Sequence, residues 1–234
     1  MTKLKPALVC IAALAFALSP YFVTGFNGFD PNAFPVPQID PPITPAGYAF
    51  AIWGLIYVWL LIHAAYGLLK RAENPGWDKT RLPLILSLAI GATWLAVAAA
   101  APVWATVLIW GMLISALMAV FAVKTKADRW LLQAPLAIYA GWLSVASFVA
   151  LGWVIGGYGY TDTSRGAALI ALPLAMLFAL RVQWLLVRAP EYGVTVIWAL
   201  IGVIVANITG GILIPFLALI GILLMALLII RTLP

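Results

Sequence analysis

Stretches of 17 or more residues without a charge recur along the whole of this 234-residue chain. A run of that length is too long for an ordinary buried core helix and matches the hydrocarbon thickness of a bilayer. Composition agrees: 65% of residues are hydrophobic and 9% charged, where a soluble domain carries about 25% charged residues. Mean hydropathy is +1.11. Eight apolar segments can be marked, each bounded by charge or by Pro/Gly clusters: 6–25, 44–69, 82–101, 104–123, 130–155, 166–187, 192–208 and 211–230. Asn207-Ile208-Thr209-Gly210-Gly211 alone separates the last two, and it permits either a tight turn or one broken helix. The expectation is an all-α polytopic membrane protein of about eight transmembrane helices, embedded in the lipid bilayer.

The placement of the basic residues tests that map. With eight spans, Lys3, Lys5, Lys70, Arg71, Lys79, Arg81, Lys124, Lys126, Arg129, Arg181, Arg188 and Arg231 fall on one side, and only Arg165 on the other. The positive-inside bias then puts both termini in the cytoplasm. It also accounts for the net charge of +6, so a nucleic-acid partner is not implied. Lys3 and Lys5 before an apolar run resemble a signal peptide, but the run continues past Pro20 to Val23, and it reads as a retained first helix. The single cysteine, Cys10, offers no internal disulfide, and no Cys/His cluster suggests a metal site. The longest outside loops are 26–43, without Lys or Arg but with five prolines between Pro31 and Pro42, and the glycine-rich 156–166. Such a proline-rich loop is stiff enough to cover a pocket mouth.

The second feature is aromatic. After Pro41 and Pro42 the chain runs through Tyr48, Phe50, Trp53, Tyr57 and Trp59. At about 100° per residue, Phe50, Trp53 and Tyr57 share one face, and Trp59, His63 and Tyr66 another. The fifth segment repeats the theme with Tyr139, Trp142, Ala146, Val149 and Trp153 on one face, and Trp94 lies on the third. Such rings also fill gaps between helices or sit at the headgroup belt. A pocket lined by them favours a flat, largely apolar ligand. Gly152 and Gly156 form a small-xxx-small pair that permits close packing. His63, the only histidine, is read as a snorkelling or capping group, Arg181 as snorkelling, and Asn207 as a turn residue.

The segment PPITPAGYAFAIWGLIY resembles the signature of the TspO/translocator-protein family, the tryptophan-rich sensory proteins. Pro41, Pro42, Tyr48, Phe50, Trp53 and Tyr57 carry it, Tyr139, Trp142 and Ala146 match the family's fifth helix, and Trp94 its third. The chain departs from the pattern in a one-residue-shorter spacing before Trp53 and in Ala51 where a Gly-Pro pair is usual. It departs again at Gly91 and near Val149, where the family has asparagines. The resemblance implies a five-helix bundle over residues 1–156, followed by three additional transmembrane helices over 157–234.

It further implies a membrane ligand-binding sensor or regulator that takes porphyrin, haem or another flat apolar molecule. Tyr48, Phe50, Trp53, Tyr57, Trp94, Tyr139, Trp142 and Ala146 would be the binding residues, with Trp53, Tyr57, Tyr139 and Trp142 converging on one cavity. The implied setting is a bacterial inner membrane, as a homodimer or within a membrane complex. Transport of tetrapyrroles or other small apolar molecules is an alternative, weakened by the lack of internal repeats and intramembrane ionisable groups. An accessory subunit of a larger membrane complex is another. No nucleophile–base pair or carboxylate dyad suggests an enzyme.

Overall fold

A computed structural model describes residues 3–23, 28–124 and 127–231. Phe26, which begins the first outside loop, and the basic Lys126 lie outside the described residues. Within these limits the secondary structure is entirely helical: α1 (Leu4–Phe22), a short 3-10 helix Gly47–Ala51 leading directly into α2 (Ile52–Lys70), α3 (Pro75–Ala100), α4 (Pro102–Phe121), α5 (Gln133–Gly157), α6 (Ser164–Leu185), α7 (Pro190–Ala206) and α8 (Leu213–Ile230). Seven spans are long and apolar enough to cross a membrane, the stretch Gly47–Lys70 counting as one. The remaining apolar helix, α7, has 17 residues, which at 1.5 Å per residue rise about 25 Å, the lower limit for a span.

Local chemistry sets the helix ends. Asn74 caps α3, its side chain accepting from the backbone N–H groups of Gly76 (2.9 Å) and Trp77 (3.2 Å), with Pro75 at the first helical position. That cap starts α3 seven residues before the apolar segment expected from 82, so Lys79 and Arg81 stand on the helix rather than in the preceding loop. Thr163 caps α6 by accepting from Gly166 at 3.1 Å. Pro102 and Pro190 open α4 and α7. Pro135 and Pro215 lie in the first turns of α5 and α8, where a missing N–H costs nothing, while Pro173 is inside α6. The 207–212 linker is a true reversal: Asn207 ends α7, and Gly211 takes a φ of +106°, a conformation open to glycine but strained for other residues.

The chain divides into two compact units. The first is Met1–Gly28 with Ile52–Ala140, which holds α1 to α4 and the start of α5. Here α3 packs on both α1 and α4. At their meeting point stands Gly91, where an added Cβ would lie 2.6 Å from the Phe16 ring and 2.9 Å from Met112. Ser87 donates to the Met112 carbonyl at 2.8 Å, which ties α3 to α4.

The second unit is Phe29–Ala51 with Gly141–Pro234. In it, α8 packs against α6 and α7, and the proline-rich segment is anchored along its length. Val36 N–H bonds the Gly157 carbonyl at 2.9 Å, Trp153 Nε1–H bonds Thr44 Oγ1 at 3.0 Å, and Ala46 N–H bonds the Gly202 carbonyl at 3.0 Å. The Gly152/Gly156 pair admits side chains of that segment. Ile43 lies 3.1 Å from where a Cβ on Gly152 would stand, and Gln38 2.5 Å from one on Gly156.

Candidate functional site

In the first unit three of the predicted residues, Trp53, Tyr57 and Tyr139, gather around Phe16, which is not one of the eight. The Trp53 and Tyr57 rings stack, centroids 5.5 Å apart and planes 18° from parallel. Their spacing of four residues brings them to one face of α2 a turn apart. Phe16 of α1 meets both edge-on, at 5.7 Å and 5.1 Å, and lies 5.7 Å from Tyr139. Phe16 and Tyr139 are buried, while Trp53 and Tyr57 are half-buried. The Tyr139 hydroxyl lies 2.9 Å from Ser87 Oγ. Because Ser87 spends its one proton on the Met112 carbonyl, Tyr139 is the donor of that bond. Trp94 donates its indole N–H to the Ala105 carbonyl at 2.8 Å, bridging α3 and α4.

In the second unit Phe50 meets Trp142 edge-to-face at 5.5 Å. Trp142 is buried, Phe50 is 41% exposed, and Ala146, one turn on, is half-buried. Tyr48 pairs with Trp198 of α7 at 5.5 Å, and the Trp198 indole N–H donates to the Ala49 carbonyl at 2.9 Å. Asn207 does more than turn the chain. It is buried, and its amide donates to the Pro42 carbonyl (2.7 Å) and the Val203 carbonyl (2.8 Å). The proline head of the motif is thus held by α7. A small void of about 20 Å³ in this unit is lined by Ile43, Phe148, Met176, Val196, Leu200 and their neighbours, with none of the eight predicted residues on its wall.

Sequence reasoning missed Phe16, Trp198 and the anchoring role of Asn207. Phe16 sits on a helix with no motif, and Trp198 lies outside the matching segments. Only the folding of distant helices against the motif gives either a role.

A polar cluster closes one end of the first unit. Asp128, in the left-handed region at φ +57°, accepts from Arg71 Nε (2.6 Å) and Nη2 (3.0 Å) and from Trp77 Nε1 (3.1 Å). The Arg71 hydrogen bonds hold the Asp128 carboxyl below its ordinary range, and the same bond raises Arg71. Buried Arg81 donates to the Ala72 and Arg71 carbonyls at 2.8 and 2.6 Å, capping the α2–α3 turn. His63 stacks on Trp77 at 4.8 Å and donates from Nδ1 to the Leu131 carbonyl at 2.7 Å. The bond joins the middle of α2 to the turn before α5, from a buried position rather than a snorkelling or capping one. No group of three His, Cys, Asp or Glu that could hold a metal occurs among the described residues.

Apolar spans of bilayer length, with indoles and phenols on their inner and half-open faces, define an integral, polytopic, all-helical membrane protein in contact with lipid. The family model for TSPO-like proteins matches residues 8–231, which includes α6 to α8, and the chain belongs to that family. No curated protein and no solved structure matches it.

Proposed function

We propose that this protein is a membrane-embedded ligand-binding sensor of the TspO type, taking a flat, largely apolar ring molecule such as a porphyrin. The observation that carries this reading is the Trp53–Tyr57 stack. Two nearly parallel π faces are braced edge-on by buried Phe16 and left partly open. A ring laid on a face already ordered in this way pays little side-chain entropy. Stacking contributes about 0.5–1.5 kcal/mol per ring pair beyond area burial. The Phe50–Trp142 pair offers a second aromatic edge within its own unit.

The setting we propose is a bacterial inner membrane, which rests on the family resemblance, with both termini cytoplasmic, an orientation supported by the twelve-to-one distribution of Lys and Arg over eight spans. Binding is tested by titrating the full-length protein in detergent with protoporphyrin, followed by the porphyrin's own absorption so that removing indoles does not remove the reporter. Replacing both Trp53 and Tyr57 by Leu should weaken binding roughly tenfold or more while helicity is retained. Unchanged affinity would reduce the stack to packing and favour an accessory subunit instead.

A further inference from the structure

A groove of about 410 Å³ opens between the last turns of α6 and α8, lined by Leu180, Arg181, Trp184, Leu224, Leu227, Leu228 and Arg231. Both helices end here, at Leu185 and Ile230, so the groove lies where the hydrocarbon core gives way to headgroups. Its wall is leucine apart from one indole and two guanidinium groups. Trp184 is 55% exposed, and the Arg181 guanidinium lies 4.4 Å over its ring. Neither Arg181 nor Arg231 forms an ion pair among the described residues, whereas Arg71 and Arg81 both do. The carboxylate nearest in sequence, Glu191 at the start of α7, is buried and does not line the groove.

Cations at helix C-termini complement the macrodipole, and that alone would explain one arginine on each helix. It does not explain why both line the same leucine-walled groove. Two guanidiniums without an ion pair among the described residues, above an apolar trough, match one molecule with an anionic head and an acyl tail, since a basic pocket between transmembrane helices is the usual anionic-lipid site. We propose that this groove binds a single anionic glycerophospholipid, its phosphate held by Arg181 and Arg231 and an acyl chain lying along Leu180, Leu224, Leu227 and Leu228.

The test uses the full-length protein reconstituted in nanodiscs of equimolar phosphatidylglycerol and phosphatidylcholine, then released and weighed by native mass spectrometry. Each arginine near the surface favours an anionic lipid enough that the pair should enrich phosphatidylglycerol roughly ten- to thirtyfold among retained lipids. Arg181→Gln with Arg231→Gln should bring that ratio close to one, and Arg181→Lys with Arg231→Lys should keep most of it. The charge-matched pair Lys70→Gln and Lys79→Gln, both exposed on α2 and α3, should leave it unchanged. Should the glutamine pair not fold, raising the salt on the unaltered protein should lower the enrichment by screening. Equal retention of both lipids by the unaltered protein would overturn the proposal. So would enrichment that survives the glutamine pair, displacement of the lipid by inorganic phosphate alone, or a dimer that excludes lipid from the groove.

Discussion

Alanine at Gly91 probes the hub of the aromatic site without touching a ring that could face a ligand. The new Cβ would stand 2.6–2.7 Å from two Phe16 ring carbons and 2.9 Å from the Met112 methyl. Carbon contacts are comfortable near 3.5 Å, so the ring must retreat by about 0.8–0.9 Å. Met112 can yield at its flexible end. Phe16 is pinned: it is 3% exposed and wedged against Trp53, Tyr57 and Tyr139. The cost therefore falls in the upper part of the overpacking range, about 2–3 kcal/mol. Alanine recovers up to about 1 kcal/mol of helix propensity over glycine, leaving a net loss of about 1–2 kcal/mol.

Gly54→Ala is the matched control, because nothing lies within 4 Å of its Cβ position and only the propensity gain applies. The two substitutions should differ by about 2–3 kcal/mol, or about 4–12 °C in midpoint for a chain of this length, read by circular dichroism melting in detergent. Near-ultraviolet dichroism should change in Gly91→Ala alone, since displacing Phe16 disturbs the Trp53–Tyr57 stack. Phe16→Leu in the same background should recover part of the loss, a coupling of about 1–2 kcal/mol. Equal melting of the two alanine variants, or a Gly91→Ala loss that Phe16→Leu does not reduce, would refute the hub.

Asn207→Ala should cost about 0.5–1.5 kcal/mol by removing the hydrogen bond to the half-buried Pro42 carbonyl, and limited proteolysis should then cut earlier in the 41–46 segment. The Asp128 carboxyl is held below its ordinary 3.8 by Arg71, so its contribution is complete above that value and lost as pH falls through the lower folded one; Asp128→Asn should flatten this acid limb of a stability–pH profile, and an unchanged limb would count against the Arg71 clamp. Trp198→Phe keeps the ring against Tyr48 but loses the bond to Ala49, for a cost of about 0.5–1.5 kcal/mol in thermal melting. Reporter fusions after Leu69 and after Gly159 should report opposite sides of the membrane; the same side for both would overturn the eight-span map.

Hydropathy by itself determined the membrane class, the helices and most of their limits, because a bilayer demands long charge-free runs and satisfied backbone groups whatever the neighbours are. The motif segments were equally legible, and they led to the family. The early start of α3 was harder to read, since it depends on one Asn74 cap overriding the charges at Lys79 and Arg81. Separate α7 and α8 could be told from a broken helix only once Gly211 was seen with positive φ.

What only the tertiary structure decided is which rings meet. Helical periodicity places Trp53 and Tyr57 on one face, but it says nothing of the buried Phe16 that braces them from α1. Likewise it does not foresee that Tyr48 and Ala49 would be held by Trp198, 149 residues beyond Ala49, and Pro42 by Asn207, 165 residues further on. Aromatic packing and buried hydrogen bonds have short range in space and no fixed range along the chain. Periodicity therefore orients a side chain on its own helix, and only the packing of helices chooses its partner.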